Sequence, residues 1–307
     1  QVIAWVARNF DLSQAAVACS MADAVLPHLV SQQFPGVDVL FLETGYHFTE
    51  THITRNEVAD QLNITIVDVM PELTVAEQEA QYGKDLFRDD PDLKVGILRS
   101  EGSRFFSAGF DLKAAAAGDA VDGDYGVGGF GGLQELPDLN KPVIAAVEGM
   151  AVGGGFELAL ACDLIYASAD VRFGLPEINA GTLADAATIK LPKRMPYHVA
   201  MELLLTGRWM EAAEAHRWGL VNEVLHDGVA LADRVWEVAR LLESGPPLVF
   251  AAIKETVREA EGAGFQQVLA RVTSRELRTV DALYGSADNF EGFRAFAEKR
   301  PPRWTGR

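Results

Sequence analysis

The feature that most constrains the fold is an apolar run followed by three consecutive glycines and a second apolar run. Val143–Val147 contains only small or branched apolar residues, as a strand buried on both faces does. Gly153, Gly154 and Gly155 follow, and Phe156–Cys162 is predicted to be a helix. Glycines at a helix N-terminus let unpaired backbone N–H groups approach a ligand closely. The stretch therefore predicts an α/β fold with amides presented at a helix start.

The first ninety residues alternate between helix-like and strand-like runs. Helices are predicted over Met21–Phe34 and Glu50–Leu62, and strands over Val37–Leu42 and Ile64–Val69. This alternation is typical of βαβ units in a parallel sheet. The polar run Glu72–Phe87 is also predicted to be helical.

A charged turn, Arg88–Asp92, is the predicted boundary between this region and the rest of the chain. Further strands are predicted at Val95–Arg99, Leu164–Ala167 and Val171–Leu175. From Tyr197 onward the chain is predicted to be mostly helical, with helices at Ala200–Leu205, Glu211–Trp218, Ala230–Leu242, Val249–Ala260, Phe265–Leu277 and Phe290–Ala297.

Composition and charge exclude several classes of protein. The 307 residues are 49% hydrophobic, which is enough for a large core, and the net charge of −17 disfavours nucleic acid and anionic membranes as partners. Two cysteines, Cys19 and Cys162, are too few for a disulfide framework or a four-cysteine zinc site. No run approaches the apolar length of a membrane span. We expect a cytoplasmic protein that holds no metal.

Two glutamates accompany the glycine-rich segments. Small residues end the predicted strands at Phe105–Leu112 and at Val147–Leu158, and two backbone N–H groups aimed at one oxygen form an oxyanion hole. Glu157 lies in the second of these segments, and Glu177 follows the next strand. Two carboxylates beside one oxyanion site suggest acid–base chemistry next to a carbonyl.

Residues 93–307 resemble the crotonase (enoyl-CoA hydratase/isomerase) superfamily, and within it the carnitinyl-CoA dehydratases. The stretches that carry the resemblance are SAGFDLKAAAAGD, KPVIAAVEGMAVGGGFELALACD, FGLPE, LTGRWMEAAEAHRWGLVNEV and FAEKRPPRWTGR. The resemblance implies an α/β fold with a ββα spiral core, followed by a C-terminal helical region that builds homotrimers or hexamers. It also implies that coenzyme A enters as part of the substrate and that no separate cofactor is needed.

The resemblance assigns roles by position. The oxyanion donors fall on Phe110 and Gly154, and the two acid–base carboxylates on Glu157, as base toward water, and Glu177, as acid toward the α-carbon. Further substrate-binding positions are Ala108, Asp111, Gly153, Gly181 and Lys299, the last of which serves equally well as a cap of the final helix.

The implied reaction is hydration or dehydration of an α,β-unsaturated acyl-CoA thioester, as in fatty-acid metabolism, with crotonobetainyl-CoA and carnitinyl-CoA as the pair suggested by the resemblance. Two alternatives are a catalytically inactive chimera and a sulfonucleotide-binding remnant. One departure bears on the substrate: relatives carry a Pro and a Gly-Gly pair where this chain has Leu183–Thr188. The added methyl groups and the acid at Asp185 predict a narrower acyl pocket or a shifted helix.

A second departure concerns the start of the crotonase region, whose first hairpin and helix are missing. In their place, residues 17–91 resemble the N-terminal half of phosphoadenylylsulfate (PAPS) reductase. Ser20 and Asp23 fall at positions where that family binds its nucleotide. We expect three parts: a truncated parallel α/β segment over 1–91, a spiral core over 92–195 and a helical oligomerisation region over 196–307.

Overall fold

The computed structural model describes residues 2–12, 15–18, 24–42, 49–70, 74, 77, 86–90, 92–110, 123 and 125–307. The chain forms two compact units, Gln1–Leu86 and Phe87–Arg307. Within the described part of the chain, no helix combines the length and the apolar character that crossing a bilayer requires.

The first unit contains a three-stranded parallel sheet. Its strands are β1 (Ala16–Ala18), β2 (Asp38–Leu42) and β3 (Thr65–Val69), in the order β1-β2-β3. The helices of the unit are α1 (Val2–Asn9), α2 (Val25–Gln33) and α3 (Thr49–Gln61). The core of this unit is formed by Val30, Val37, Val39, Phe41 and Val58. The predicted alternation of strands and helices is present, although the start of the helix predicted from Met21 and most of that predicted over Glu72–Phe87 lie outside the described residues.

The second unit begins near the short helix α4 (Leu86–Asp89) and contains two four-stranded sheets. One sheet has the order β11-β8-β6-β4 and the other β10-β9-β7-β5. The strands are β4 (Gly96–Arg99), β5 (Phe105–Ser107), β6 (Val143–Val147), β7 (Met150–Val152), β8 (Leu164–Ser168), β9 (Arg172–Gly174), β10 (Met210–Glu211) and β11 (Glu223–Leu225).

The connections between these strands produce a spiral. The chain places β4, β6 and β8 side by side in one sheet, and each is followed by a strand of the other sheet, so that β5, β7 and β9 are also neighbours. Every pairing among these six strands is parallel. This is the crotonase-type spiral core that the sequence predicts.

Strand β6 is buried on both faces. Val143, Ala145 and Val147 pack into the cluster that contains Phe156, whereas Ile144 and Ala146 face a second cluster that contains Leu231. Successive side chains of a strand point to opposite faces, so a strand covered on both sides has to be apolar throughout. The burial of β6 between two apolar clusters therefore explains why Val143–Val147 contains no polar residue.

Helices dominate the remainder of the second unit. They are α5 (Gly154–Ala161), α6 (Glu177–Ala180), α7 (Asp185–Arg194), α8 (Tyr197–Thr206), α9 (Ala212–Arg217), α10 (Gly228–Glu243), α11 (Pro247–Gly262), α12 (Phe265–Thr273), α13 (Arg278–Gly285) and α14 (Glu291–Ala297). The sequence patterns do not indicate α7, which contains Pro192. They also extend α12 too far, because Arg275 adopts a left-handed backbone conformation (φ 57°) that stops the helix.

Strand β4 forms the edge of its sheet. Among the described residues no strand pairs with its outer side. A cavity of about 480 Å³ lies beside this edge, lined by side chains of β4 such as Ile97 and by Leu231, Val235 and Ala239 of α10.

Candidate active site

Three parallel strands bring the predicted site residues to one edge of a sheet. Strand β7 lies between β5 and β9, with Ala151 opposite Ser107 and Val152 opposite Gly174. The carboxyl ends of neighbouring parallel strands lie at the same edge, so the segments that follow these strands meet. Gly109 follows β5, Gly153 follows β7 and Glu177 follows β9.

The two segments predicted to donate oxyanion amides are in contact. Gly109 has φ 76°, and a Cβ atom at this position would lie 2.6 Å from the Val152 carbonyl oxygen and 2.8 Å from the Gly154 nitrogen. Only glycine combines this backbone conformation with so close an approach. The loop that contains Phe110 is therefore held against the amide of Gly154.

Helix α5 begins at the centre of this arrangement. Gly153 precedes the helix with φ 53°, and its N–H donates to the Gly174 carbonyl at 2.9 Å, which ties the helix start to the end of β9. The first amides of a helix have no intrahelical acceptor, and the helix dipole favours negative charge there. The amide of Gly154 therefore lies where an anionic oxygen is stabilised.

Glu157 lies in the first turn of α5 and is buried. Its Oε1 accepts a hydrogen bond of 2.8 Å from the backbone N–H of Ala187, at the start of α7. Its Oε2 accepts a longer one, 3.4 Å, from the amide nitrogen of Gln134. Both donors favour the ionised carboxylate.

Glu177 begins α6 and is half-buried. Its Oε1 lies over Gly153, because a Cβ at that glycine would come within 2.5 Å of it. Its Oε2 is buried and has no hydrogen-bond partner among the described residues. A buried carboxyl oxygen without a donor favours the protonated, neutral form of the group.

The two carboxyl groups influence each other. Burial raises the pKa of Glu157 above the ordinary carboxyl value, against the lowering effect of the Ala187 amide. Burial likewise raises the pKa of Glu177, and the negative charge of Glu157 raises it further. Asp185, exposed at the start of α7, adds a third negative charge that raises both pKa values.

Three residues at the site were not identified by sequence reasoning: Gln134, Ala187 and Lys190. Lys190 is half-buried, and burial lowers the pKa of its ammonium group while the charge of Glu157 raises it. Its Nζ donates to the backbone carbonyl of Gln134 at 3.5 Å. No local pattern distinguishes these residues, because they reach Glu157 only through the packing of α7 and of the 130–134 segment on α5.

The remaining predicted positions have varied surroundings. Ala108 is exposed next to Gly109, Gly181 ends α6 in the left-handed conformation (φ 74°), and Lys299 is exposed just after α14. Four predicted positions lie outside the described residues: Asp111, Ser20, Asp23 and Cys19.

Cys162 is in the core, where burial raises the pKa of its thiol to about 12. In the part of the chain that is described, no three His, Cys, Asp or Glu side chains converge as ligands for a metal.

The geometry suits a reaction next to a carbonyl group. The amides of Gly154 and of the Phe110 segment mark a position for an oxygen that becomes negative, and two carboxyl groups of different environment lie beside it. The Glu157 carboxyl accepts hydrogen bonds from two other residues, whereas Glu177 has a buried oxygen without a partner among the described residues, which is the arrangement expected of a paired base and acid.

Comparison with protein families gives two matches. The enoyl-CoA hydratase/isomerase model matches residues 74–307, and the phosphoadenosine phosphosulfate reductase domain model matches residues 14–104. The two matches cover the same two regions that resemble these families in their sequence motifs.

Individual relatives are similar over most of the second unit. A carnitinyl-CoA dehydratase from Proteus mirabilis is 48% identical over 222 residues, which cover 72% of this chain and 85% of the relative. One from Salmonella arizonae is 49% identical over 223 residues, 72% of this chain and 84% of the relative. Among solved structures, an enoyl-CoA hydratase from Mycobacterium marinum matches with a TM-score of 0.64 and 42% identity over 73% of this chain and 85% of its own.

Proposed function

Because the chain belongs to the enoyl-CoA hydratase/isomerase family, we propose that it is a lyase that adds water to the double bond of a 2-enoyl-CoA thioester and catalyses the reverse dehydration. The observation that carries this proposal is the pair of glutamates, Glu157 and Glu177, beside the amide of Gly154 at the start of α5. Both carboxyl groups needed to handle one water molecule are present, and the protein backbone provides donors for the thioester oxygen.

In this proposal Glu157 acts as the base. Its carboxylate is supplied with N–H donors from Ala187 and Gln134, which hold the side chain in place and favour its ionised form. Glu157 removes a proton from water as the oxygen attacks the β-carbon. The hydroxyl group that forms remains on the product.

Glu177 acts as the acid. Burial, the unpartnered Oε2 and the charge of Glu157 all favour the protonated carboxyl group. Glu177 delivers its proton to the α-carbon, and in dehydration the two glutamates exchange these tasks. A carboxyl group with a raised pKa is suited to donate a proton near neutral pH.

The thioester oxygen carries negative charge when water has added to the β-carbon and the α-carbon is not yet protonated. The backbone N–H groups of Gly154 and Phe110 are proposed to bind that oxygen. Removing one such donor costs roughly 3–4 kcal/mol of barrier in enzymes of this kind.

The acyl group is the finer part of the proposal. Relatives named carnitinyl-CoA dehydratase are 44–49% identical to this chain, which favours crotonobetainyl-CoA and carnitinyl-CoA as the substrate pair. In the segment after Gly181, the Ala187 amide donates to Glu157 and the charge of Asp185 raises the pKa of both glutamates. We propose that this segment influences which acyl group is accepted.

We also propose that the chain assembles into a homotrimer or hexamer. Phe290, Phe293 and Phe296, at and within the last helix, expose 56%, 73% and 87% of their surface. Exposed aromatic groups this close together mark an interaction surface rather than a solvated one.

The decisive experiment follows the loss of the absorbance of the conjugated thioester when crotonyl-CoA or crotonobetainyl-CoA is hydrated. We expect turnover by the wild type, and a reduction of kcat/KM by about 10²–10⁴ in Glu157→Gln and in Glu177→Gln. Glu101→Gln, at an exposed position, is the matched control and retains wild-type rates. Wild-type protein without turnover of either thioester contradicts the proposed function and favours the inactive chimera.

A further inference from the structure

Three aromatic rings cluster at the start of α5. The ring centroids of Tyr125 and Phe130 are 5.6 Å apart, those of Phe110 and Phe130 are 6.4 Å apart, and those of Phe110 and Tyr125 are 6.5 Å apart. The Tyr125 ring is nearly perpendicular to that of Phe130 (89°) and steeply inclined to that of Phe110 (73°). We refer to these three residues as the aromatic cluster.

The aromatic cluster adjoins the oxyanion amides. A Cβ at Gly154 would lie 2.3 Å from the Phe130 ring, so this ring covers the glycine whose N–H is proposed to hold the thioester oxygen. Phe110 follows Gly109, which touches the same amide. Gln134, four residues after Phe130, donates to Glu157. The aromatic cluster therefore lies next to the amide of Gly154.

The cluster has the dimensions of a site for an organic cation. With centroids 5.6–6.5 Å apart the three rings contact one another, so a cation cannot enter between them, but one that lies on top of the cluster can be within about 6 Å of all three centroids, the range over which a ring face attracts a positive charge. Clusters of aromatic rings are what proteins use to bind quaternary ammonium groups.

Negative charge in this region also suits a cation. Asp185 lies at the exposed start of α7, close enough for its charge to act on both Glu157 and Glu177. The chain as a whole carries a net charge of −17. An acyl group that ends in a positive charge is favoured by this field, whereas an anionic acyl group is repelled.

We propose that the aromatic cluster, Phe110, Tyr125 and Phe130, binds the quaternary ammonium end of the acyl group, with Asp185 as its charge complement. This inference rests on the proposed hydratase function, because it takes the thioester oxygen to lie at the Gly154 amide. In a carnitinyl or crotonobetainyl group the trimethylammonium is attached to the fourth carbon of the acyl chain, a short distance from the thioester carbon. The cluster is thus a specificity determinant for the acyl group.

The test compares two thioesters of the same shape. Crotonobetainyl-CoA carries the cation, and 5,5-dimethylhex-2-enoyl-CoA replaces its nitrogen with carbon and is neutral. We expect the wild type to prefer the cationic thioester by at least about tenfold in kcat/KM. Phe130→Leu and Tyr125→Leu, which retain apolar bulk without an aromatic face, are expected to reduce this preference by about 5–10-fold, and Asp185→Asn by about 3-fold.

The control variant is Phe265→Leu, whose ring is exposed at the start of α12 and which should leave the preference unchanged. A wild type that hydrates both thioesters equally, or variants that lower both rates in parallel, would overturn the cation site while leaving the hydratase function intact. Calorimetric titration with the two thioesters separates the remaining case. If neither thioester turns over, but crotonobetainyl-CoA binds more tightly than the neutral thioester and Phe130→Leu removes the difference, the cation site stands and the proposed hydratase function fails. If neither thioester turns over and the two bind equally or not at all, both the cation site and the hydratase function are overturned.

Discussion

At the scale of single residues, the site depends on the different surroundings of two glutamates. Glu157 receives a backbone N–H and a side-chain amide, whereas the Oε2 of Glu177 is buried without a partner among the described residues. Both pKa values are raised by burial, and each negative charge near them adds to the effect. The ionised forms of Glu157 and Glu177 are therefore less favourable in the folded protein than in the unfolded chain, which lowers the free energy of unfolding at neutral pH.

This cost predicts a pH-dependent gain in stability for Glu177→Gln. Because the pKa of Glu177 is raised in the folded protein, the folded state binds more protons than the unfolded state between the ordinary and the raised pKa. The free energy of unfolding therefore falls as the pH rises through that window. Glutamine does not ionise, so the variant should unfold about 2 °C higher at pH 8, with a difference that shrinks toward pH 5.

Thermal unfolding followed by circular dichroism between pH 5 and pH 8 measures this effect, with Glu101→Gln as the exposed reference. A Tm difference that is constant with pH, or that grows as the pH is lowered, contradicts the proposed environment of Glu177.

At the scale of elements, the start of β6 is anchored by α11. Lys254 on α11 donates to the Asp163 carboxylate at 2.6 Å and to the Lys141 carbonyl at 2.8 Å. The same carboxylate oxygen accepts the N–H of Val143, the first residue of β6. This network links the C-terminal helices to the strand at the centre of the core; the Lys254 side chain is 16% exposed and that of Asp163 is 34% exposed.

We therefore expect Lys254→Met to lower the free energy of unfolding by about 1–2 kcal/mol, because hydrogen bonds to a charged group are lost and Asp163 is left without its cation. Lys193→Met is the matched control, since its pair with Glu261 is 3.9 Å long and half exposed, and should cost less than about 0.5 kcal/mol. Urea unfolding of the two variants measures the difference. Equal losses would show that the network contributes no more than a surface ion pair.

At the scale of the whole molecule, the chain consists of two compact units with separate cores. The second unit contains all residues assigned here to hydration. Its further division into a spiral core over 92–195 and a helical oligomerisation region over 196–307 stays a prediction, as does the role of the first unit.

The proposed assembly predicts the effect of a charge on the exposed aromatic surface of α14. Phe296→Glu should shift the protein from trimer or hexamer toward monomer, because burying an unpaired carboxylate in an interface is strongly unfavourable. Light scattering coupled to size-exclusion chromatography measures the mass. Val229→Glu, at an exposed position at the start of α10, is the control that should keep the wild-type mass. A monomeric wild type would contradict the assembly itself.

The sequence by itself determined the features that depend on local pattern. The short apolar run Val143–Val147, which follows Pro142, indicates a strand buried on both faces, and the glycines before Phe156 mark a helix start with accessible amides. Strands β4, β6, β8 and β9, and Glu157 and Glu177 as residues next to that helix start, were predictable for the same reason, whereas α7 was not.

Only the tertiary structure decided which groups surround those glutamates. The Ala187 amide, which donates to Glu157, lies 30 residues from it in the sequence, and Gln134, which also donates to Glu157, lies 23 residues from it. The three rings of the aromatic cluster come from two separate segments. Such contacts arise when strands and helices pack, and hydrophobic periodicity carries no information about which distant side chains then meet. The protonation preference of each glutamate, and the site proposed for the cation, follow from that packing.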